Sequence, residues 1–188
     1  MTATQGDDVV DILTTDHREV LELVQRIPSV EDANVRRDMA DTVIAEVMRH
    51  SVAEEMYVYP VMRDQLPDGE EEVKHDVDEH QKLEEVMKKL ENIDANDAHF
   101  FDVVTELKNL LAHHASDEEN DQFPQLRATI PEDQLVEIGR KVEAAKKAAP
   151  TRPHPSAPHS ELFHKALGPS VGLVDRLRDK LSGRPTSA

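Results

Sequence analysis

Two stretches of the chain read alike: Arg49-His50-Ser51-Val52-Ala53-Glu54-Glu55-Met56-Tyr57-Val58-Tyr59-Pro60 and His113-His114-Ala115-Ser116-Asp117-Glu118-Glu119-Asn120-Asp121-Gln122-Phe123-Pro124. A histidine, a Glu-Glu pair, an aromatic and a proline recur at a constant offset of 64, and Pro67 and Pro131 keep it. The segments before them match at an offset of 63: Asp16-His17 over Glu79-His80, Val20 over Leu83, Val24 over Met87, Ile27 over Leu90. The one-residue difference falls in the loops. The chain therefore holds two copies of one helical hairpin, and two copies packed about a pseudo-twofold axis bring equivalent residues together at the centre.

Outward from the repeat, residues 1–148 read as helix. Breakers fall at Pro28-Ser29, Pro67-Asp68-Gly69, the polar stretch 92–97 and Pro131. Between them the apolar spacing predicts helices over 7–27, 31–65, 70–92 and 97–126, with a shorter one over 132–147. Short connections between long amphipathic helices make neighbours antiparallel. The expectation is an all-α, up-down-up-down four-helix bundle of two repeated hairpins over 7–148, with a short extra helix. Pro60 and Pro124 lie late in their runs, where each must kink or end the helix. Residues 149–160 hold four prolines and read as an extended linker. The tail 161–188 is interrupted at Gly168-Pro169. It then aligns Val171, Val174, Leu177 and Leu181 on one helical face, to dock on the bundle or on a protein partner, or to remain partly disordered.

Composition excludes several classes. With 22 Lys+Arg against 39 Asp+Glu the formal charge is −17, the wrong sign for a nucleic-acid binder. No apolar run is long enough for a membrane span. Residues 1–8 lack the basic and apolar regions of a signal peptide, which points to the cytoplasm. Cysteine is absent, so disulfides, thiolate metal sites and cysteine nucleophiles are excluded. No phosphate-binding glycine loop and no Gly-x-Ser-x-Gly elbow is present.

The chemistry lies on the inner stripes. One helix runs Leu13, His17, Val20, Val24, Ile27 and its repeat runs Val77, His80, Leu83, Met87, Leu90. The others run Val43, Val47, His50, Glu54, Tyr57, Val61 and Leu107, Leu111, His114, Glu118, Asp121. His50/Glu54 and His114/Glu118 are thus one turn apart on buried faces. Buried carboxylates are costly unless paired or bound to metal. Six polar groups at one level, placed twice by a repeat, point to metal ligation by His17, His50, Glu54, His80, His114 and Glu118. Imidazole and carboxylate without thiolate suit iron, manganese or zinc. Helical bundles with inward His and Glu are a usual scaffold for di-iron carboxylate sites.

His17, His50-x-x-x-Glu54, His80 and His114-x-x-x-Glu118, with both Glu-Glu…Pro trailers, resemble the hemerythrin-like HHE cation-binding family over residues 11–126. The resemblance implies two non-haem iron ions linked by carboxylates. It also implies a role in binding or sensing O₂ or related oxidants, in redox, iron or stress response, or an enzyme that decomposes peroxide or handles nitric oxide. Zinc in a structural bundle is the weaker reading. The oxygen carriers of the family have five histidines, two of them one turn apart on the third helix. Here His80 has Asp76 one turn before it and Glu84 one turn after, and neither is histidine. Asp76, Glu84, Tyr57 or solvent is left to complete the coordination. His75 and His113 are expected on outer faces, Glu55 and Glu119 as hydrogen-bond partners of ligand histidines, and His99, His154, His159 and His164 as solvated.

Overall fold

The computed structural model describes residues 8–159 and 161–186, leaving out the side chains of 161–169. The expectations for residues 1–7, including the start of the first helix at residue 7, and for the side chain of His164 lie outside the described residues. The described residues are helical and contain no strand. Their helices are α1 (Val9–Arg26), α2 (Ala33–Tyr57), α3 (Tyr59–Gln65), α4 (Gly69–Asn92), α5 (Phe100–Asp117), α6 (Phe123–Thr129), α7 (Glu132–Ala148) and α8 (Glu161–Ser182). α1 packs on α2, α4 on α5, α1 on α5 and α2 on α4, which closes a ring of four helices around one core. α7 lies against α1 and α2. Among the described residues no helix is long and apolar enough to cross a membrane.

The caps follow the sequence. Asp8 accepts from the Asp11 amide and Asp32 from those of Asn34 and Val35, each satisfying free donors of a first turn. At the start of α4 a Cβ on Gly69 would stand 2.0 Å from the Met62 carbonyl oxygen, so only glycine lets α3 turn so closely into α4.

Both long helices expected to carry the His-Glu pairs are interrupted before their prolines. α2 stops at Tyr57 and α3 starts at Tyr59. In the second copy α5 passes into a π-helical turn, Glu118–Gln122, and then into α6. Pro60 and Pro124 sit in the first turn of α3 and α6, where their missing N–H costs nothing. A wider turn advances the register by about one residue. The inner stripe therefore slips: Val58, Tyr59 and Met62 are buried where Tyr57 and Val61 were expected, and Gln122, Phe123 and Leu126 where Asp121 was expected.

Residues 149–159 form a strap held on the bundle. Arg152 pairs with Glu91 and Asp179, Thr151 donates to Asp179, and the His154 amide donates to Glu84. Gly168-Pro169 does not break α8, whose backbone runs as helix from Glu161 to Ser182. α8 packs on α2 and α7 through Gly172, Asp175 and Asp179, not through its apolar stripe. Leu173, Val174, Leu177 and Leu181 face outward. A Cβ on Gly172 would lie 2.3 Å from the Ala148 carbonyl oxygen, so α8 crosses the end of α7 at a distance only glycine permits.

Candidate metal centre

α1, α2, α4 and α5 each bring one buried histidine to the same level: His17, His50, His80 and His114. Their Nε2 atoms turn toward one another. His17 Nε2 lies 3.0 Å from His50 Nε2, and His80 Nε2 lies 3.3 Å from His114 Nε2. Glu54 and Glu118 stand between the pairs. Glu54 reaches His50 Nε2 at 3.0 Å with one oxygen and His80 Nε2 at 3.4 Å with the other. Glu118 reaches His17 Nε2 at 3.3 Å and His114 Nε2 at 3.7 Å. Each carboxylate thus spans one histidine of each hairpin. His17, His50, Glu54, His114 and Glu118 present donor atoms within 4.8 Å of one another.

The outward nitrogen of every ring is held by a carboxylate. His17 Nδ1 donates to Glu119 at 2.9 Å, His50 Nδ1 to Asp16 at 3.3 Å, His80 Nδ1 to Glu55 at 2.9 Å and His114 Nδ1 to Glu79 at 3.0 Å. Such bonds fix the tautomer and leave each Nε2 lone pair aimed inward. The brace obeys the repeat. Asp16 and Glu79 hold the histidine of their own hairpin, whereas Glu55 and Glu119 hold that of the other. The sequence expectation for Glu55 and Glu119 agrees with this placement. Asp16 and Glu79 repeat visibly before His17 and His80, but only the packing of α1 on α2 and of α4 on α5 discloses which ring each one meets.

The donor set fits cations. Both oxygens of Glu54 and one of Glu118 are fully buried with only the inward imidazole nitrogens beside them. Leaving such charges uncompensated is expensive. Burial disfavours charge on His50, yet Glu54 and Asp16 outweigh it and raise its pKa to about 10. The same opposition, with Glu54 and Glu55 prevailing, raises His80 well above the usual imidazole range. The centre demands positive charge, which two metal ions between four inward imidazoles and two spanning carboxylates would supply.

The two ends of the centre differ. On the side of Val20, Val47, Leu83 and Leu111 lies a small cavity of about 20 Å³, bordered by His17, His50 and His114. On the opposite side are Tyr59, Asp76 and Gln122. The Tyr59 hydroxyl lies 3.1 Å from His80 Nε2 and 3.5 Å from Glu118 Oε1. Gln122 donates to one oxygen of Asp76 at 2.9 Å, and the other oxygen is buried without a hydrogen bond. Burial, then the nearby Glu118, raises the Asp76 carboxyl to about 7. Tyr57 is half-buried and it is Tyr59 that reaches the centre, because the register slips at Val58. Glu84 instead accepts the strap amide of His154.

His75 and His113 are exposed, as expected, and so is His99. His154 and His159 are not simply solvated. His154 bonds Asp175, and His159 Nδ1 donates to Glu55 at 3.0 Å, on the oxygen that also takes His80 Nδ1. No signal within the strap marks these partners, which come from distant helices.

Comparison with known proteins agrees with this geometry. The chain is 32% identical over 178 residues to an uncharacterised hemerythrin-like protein of Schizosaccharomyces pombe, a match that covers 94% of this chain and 88% of that one. It is 23% identical over 148 residues to a DNA nickase of Nostoc sp., covering 76% of this chain and 42% of that protein. No solved structure matches the chain. The family model for the hemerythrin HHE cation-binding domain matches residues 8–126, which include all four inward histidines and both spanning glutamates, and the chain belongs to that family.

Proposed function

We propose that this protein carries a non-haem di-iron centre in an up-down-up-down four-helix domain over 7–148, and that it binds or senses O₂ or a related small oxidant. His17, His50, Glu54, His80, His114 and Glu118 would hold the metal, with Glu54 and Glu118 each lying beside one histidine of each hairpin. Bound iron would supply a site where a diatomic ligand is held or reduced. The observation that carries the choice of ligand is the cavity beside His17, His50 and His114. Its other walls are mostly apolar, Val20, Val47, Leu83 and Leu111 among them, and its size suits a diatomic molecule such as O₂ or nitric oxide. The four Nδ1 braces keep the imidazoles in place while the occupant of the cavity changes.

Iron content and an optical spectrum of the purified protein test this reading. About two irons per chain, with visible bands that change reversibly when O₂ is removed and restored, are expected. A protein that takes up no iron, or whose bands ignore O₂ and nitric oxide, overturns it.

A second reading is a di-iron enzyme that decomposes peroxide. Tyr59, Asp76 and Gln122 favour it, because they place a hydroxyl and a carboxyl of raised pKa at the end away from the cavity. O₂ release on adding hydrogen peroxide, lost on Tyr59→Phe with iron retained, would select it.

A further inference from the structure

Glu79 has two oxygens with different duties. Oε2 accepts from His114 Nδ1 inside the protein. Oε1 faces outward, 3.5 Å from His75 Nε2 and 3.7 Å from His113 Nε2. Asp117 completes the group, 3.7 Å from His75 Nε2 and 3.4 Å from His113 Nδ1. His75-x-x-x-Glu79 on α4 and His113-x-x-x-Asp117 on α5 thus repeat, on the outer surface, the one-turn spacing of imidazole and carboxylate found in the core.

The other hairpin explains what this group lacks. Asp16 is the repeat equivalent of Glu79 and holds His50 in the same way. Its outer side is met by the Lys146 ammonium, 2.7 and 2.8 Å from its two oxygens. A built-in cation therefore backs the brace of the first hairpin. Among the described residues no lysine or arginine pairs with Glu79 or Asp117. Where Asp16 meets an ammonium, the outer oxygen of the buried Glu79 meets two exposed imidazoles and the half-exposed Asp117 carboxylate.

We propose that His75, Glu79, Asp117 and His113 bind a divalent first-row transition ion at the surface, distinct from the buried centre and joined to it through Glu79. The donor atoms of His75, Glu79 and Asp117 already lie within 4.8 Å of one another. Tetrahedral metal–ligand bonds of about 2.0–2.1 Å require donor separations of ~3.3 Å, so small side-chain rotations close the site. His113 supplies the fourth donor by turning one nitrogen inward. Nitrogen and oxygen donors without thiolate, half-exposed, suit Zn²⁺ among available ions. An ion here takes the place of Lys146 in the first hairpin. It draws charge from Glu79 and so weakens the pull of that carboxylate on His114 Nδ1–H.

The test adds Zn²⁺ to iron-loaded protein, removes excess by dialysis, and measures both metals and the visible spectrum. Wild type is expected to keep about one further zinc per chain with its iron undiminished, and its iron bands to shift. His75→Ala/His113→Ala, which alters two exposed side chains, should keep the iron and lose the extra zinc and the shift. Equal zinc retention by the variant, no retention by wild type, or zinc gained only as iron is lost would overturn the site. Zinc retained with unmoved bands would overturn the coupling through Glu79. Should the chain carry no iron, the zinc difference between wild type and variant still decides the surface site, separately from the nature of the buried centre.

Discussion

Tyr59 and Phe123 occupy equivalent positions in the two hairpins and lie against equivalent histidines, yet only Tyr59 carries a hydroxyl. Phe123 stacks on His17 with ring centroids 5.9 Å apart, and Tyr59 stacks on His80 at 5.5 Å. The difference extends outward. Asp76 and Gln122 stand where the repeat has Leu13 and Val58. The six inward donors obey the twofold axis, while their surroundings do not.

Tyr59→Phe should therefore leave the fold and metal content in place and remove the hydroxyl that distinguishes the two stacked aromatics. Losing one buried hydroxyl costs about 1 kcal/mol in thermal unfolding. If the Tyr59 oxygen approaches iron, its visible charge-transfer band should vanish and peroxide turnover should fall. An unchanged spectrum and turnover would reduce Tyr59 to a packing aromatic.

The equivalence of the hairpins sets the next expectation. His50→Ala and His114→Ala should lose iron to a similar extent, measured as metal per chain after dialysis. Complete loss in one and none in the other would contradict the twofold arrangement. Glu54→Gln should lose more iron than Glu119→Gln, because Glu54 spans both hairpins whereas Glu119 acts only through His17.

Glu119→Ala nonetheless removes the bond that orients His17, and such supporting carboxylates are typically worth roughly 10–100-fold in metal affinity. Competition with a chelator measures it. Glu55→Ala should cost at least as much, since Glu55 holds both His80 and the strap histidine His159. A loss below threefold in both would show that packing alone orients the rings.

The strap should release in acid. Burial raises the Glu91 carboxyl, but Lys88 and Arg184 more than reverse this and hold it at about 2, against an ordinary 4.5. A depressed folded pKa contributes stability that is complete above the ordinary value and lost as pH falls through the folded one. Protease cleavage within 149–159 should thus accelerate between about pH 4.5 and 2, and Glu91→Gln should show fast cleavage already at neutral pH. Gly172→Ala should loosen the same segment at every pH, as its Cβ would collide with the end of α7.

Much of the centre was legible because chemistry and period coincide in it. His17, His50, Glu54, His80, His114 and Glu118 sit on apolar stripes that repeat, so their convergence needs only the packing of regular helices. Tyr59 and Gln122 were not legible, because each lies beyond a break in regular helix, and a register error of one residue moves a side chain about 100° around the axis. Pro60 and Pro124 signal that a break occurs but not how many residues it takes up. The partners of the strap were not legible for a different reason. Four prolines forbid helix, yet Arg152 and His154 find Glu91, Asp179, Glu84 and Asp175 on remote elements. Local composition cannot report partners so distant.

The crossed brace has a consequence for how the protein is made. His17 is steadied by Glu119 and His80 by Glu55, so neither hairpin holds both of its histidines in order by itself. A chain emerging from the ribosome presents His17, His50 and Glu54 long before their counterparts exist. Half a centre has two imidazoles, one spanning carboxylate, and nothing to span to. The full set of braced donors is complete only once residue 119 is synthesised and the second hairpin has docked, so a chain that takes up iron as proposed would not hold it loosely on the first hairpin alone.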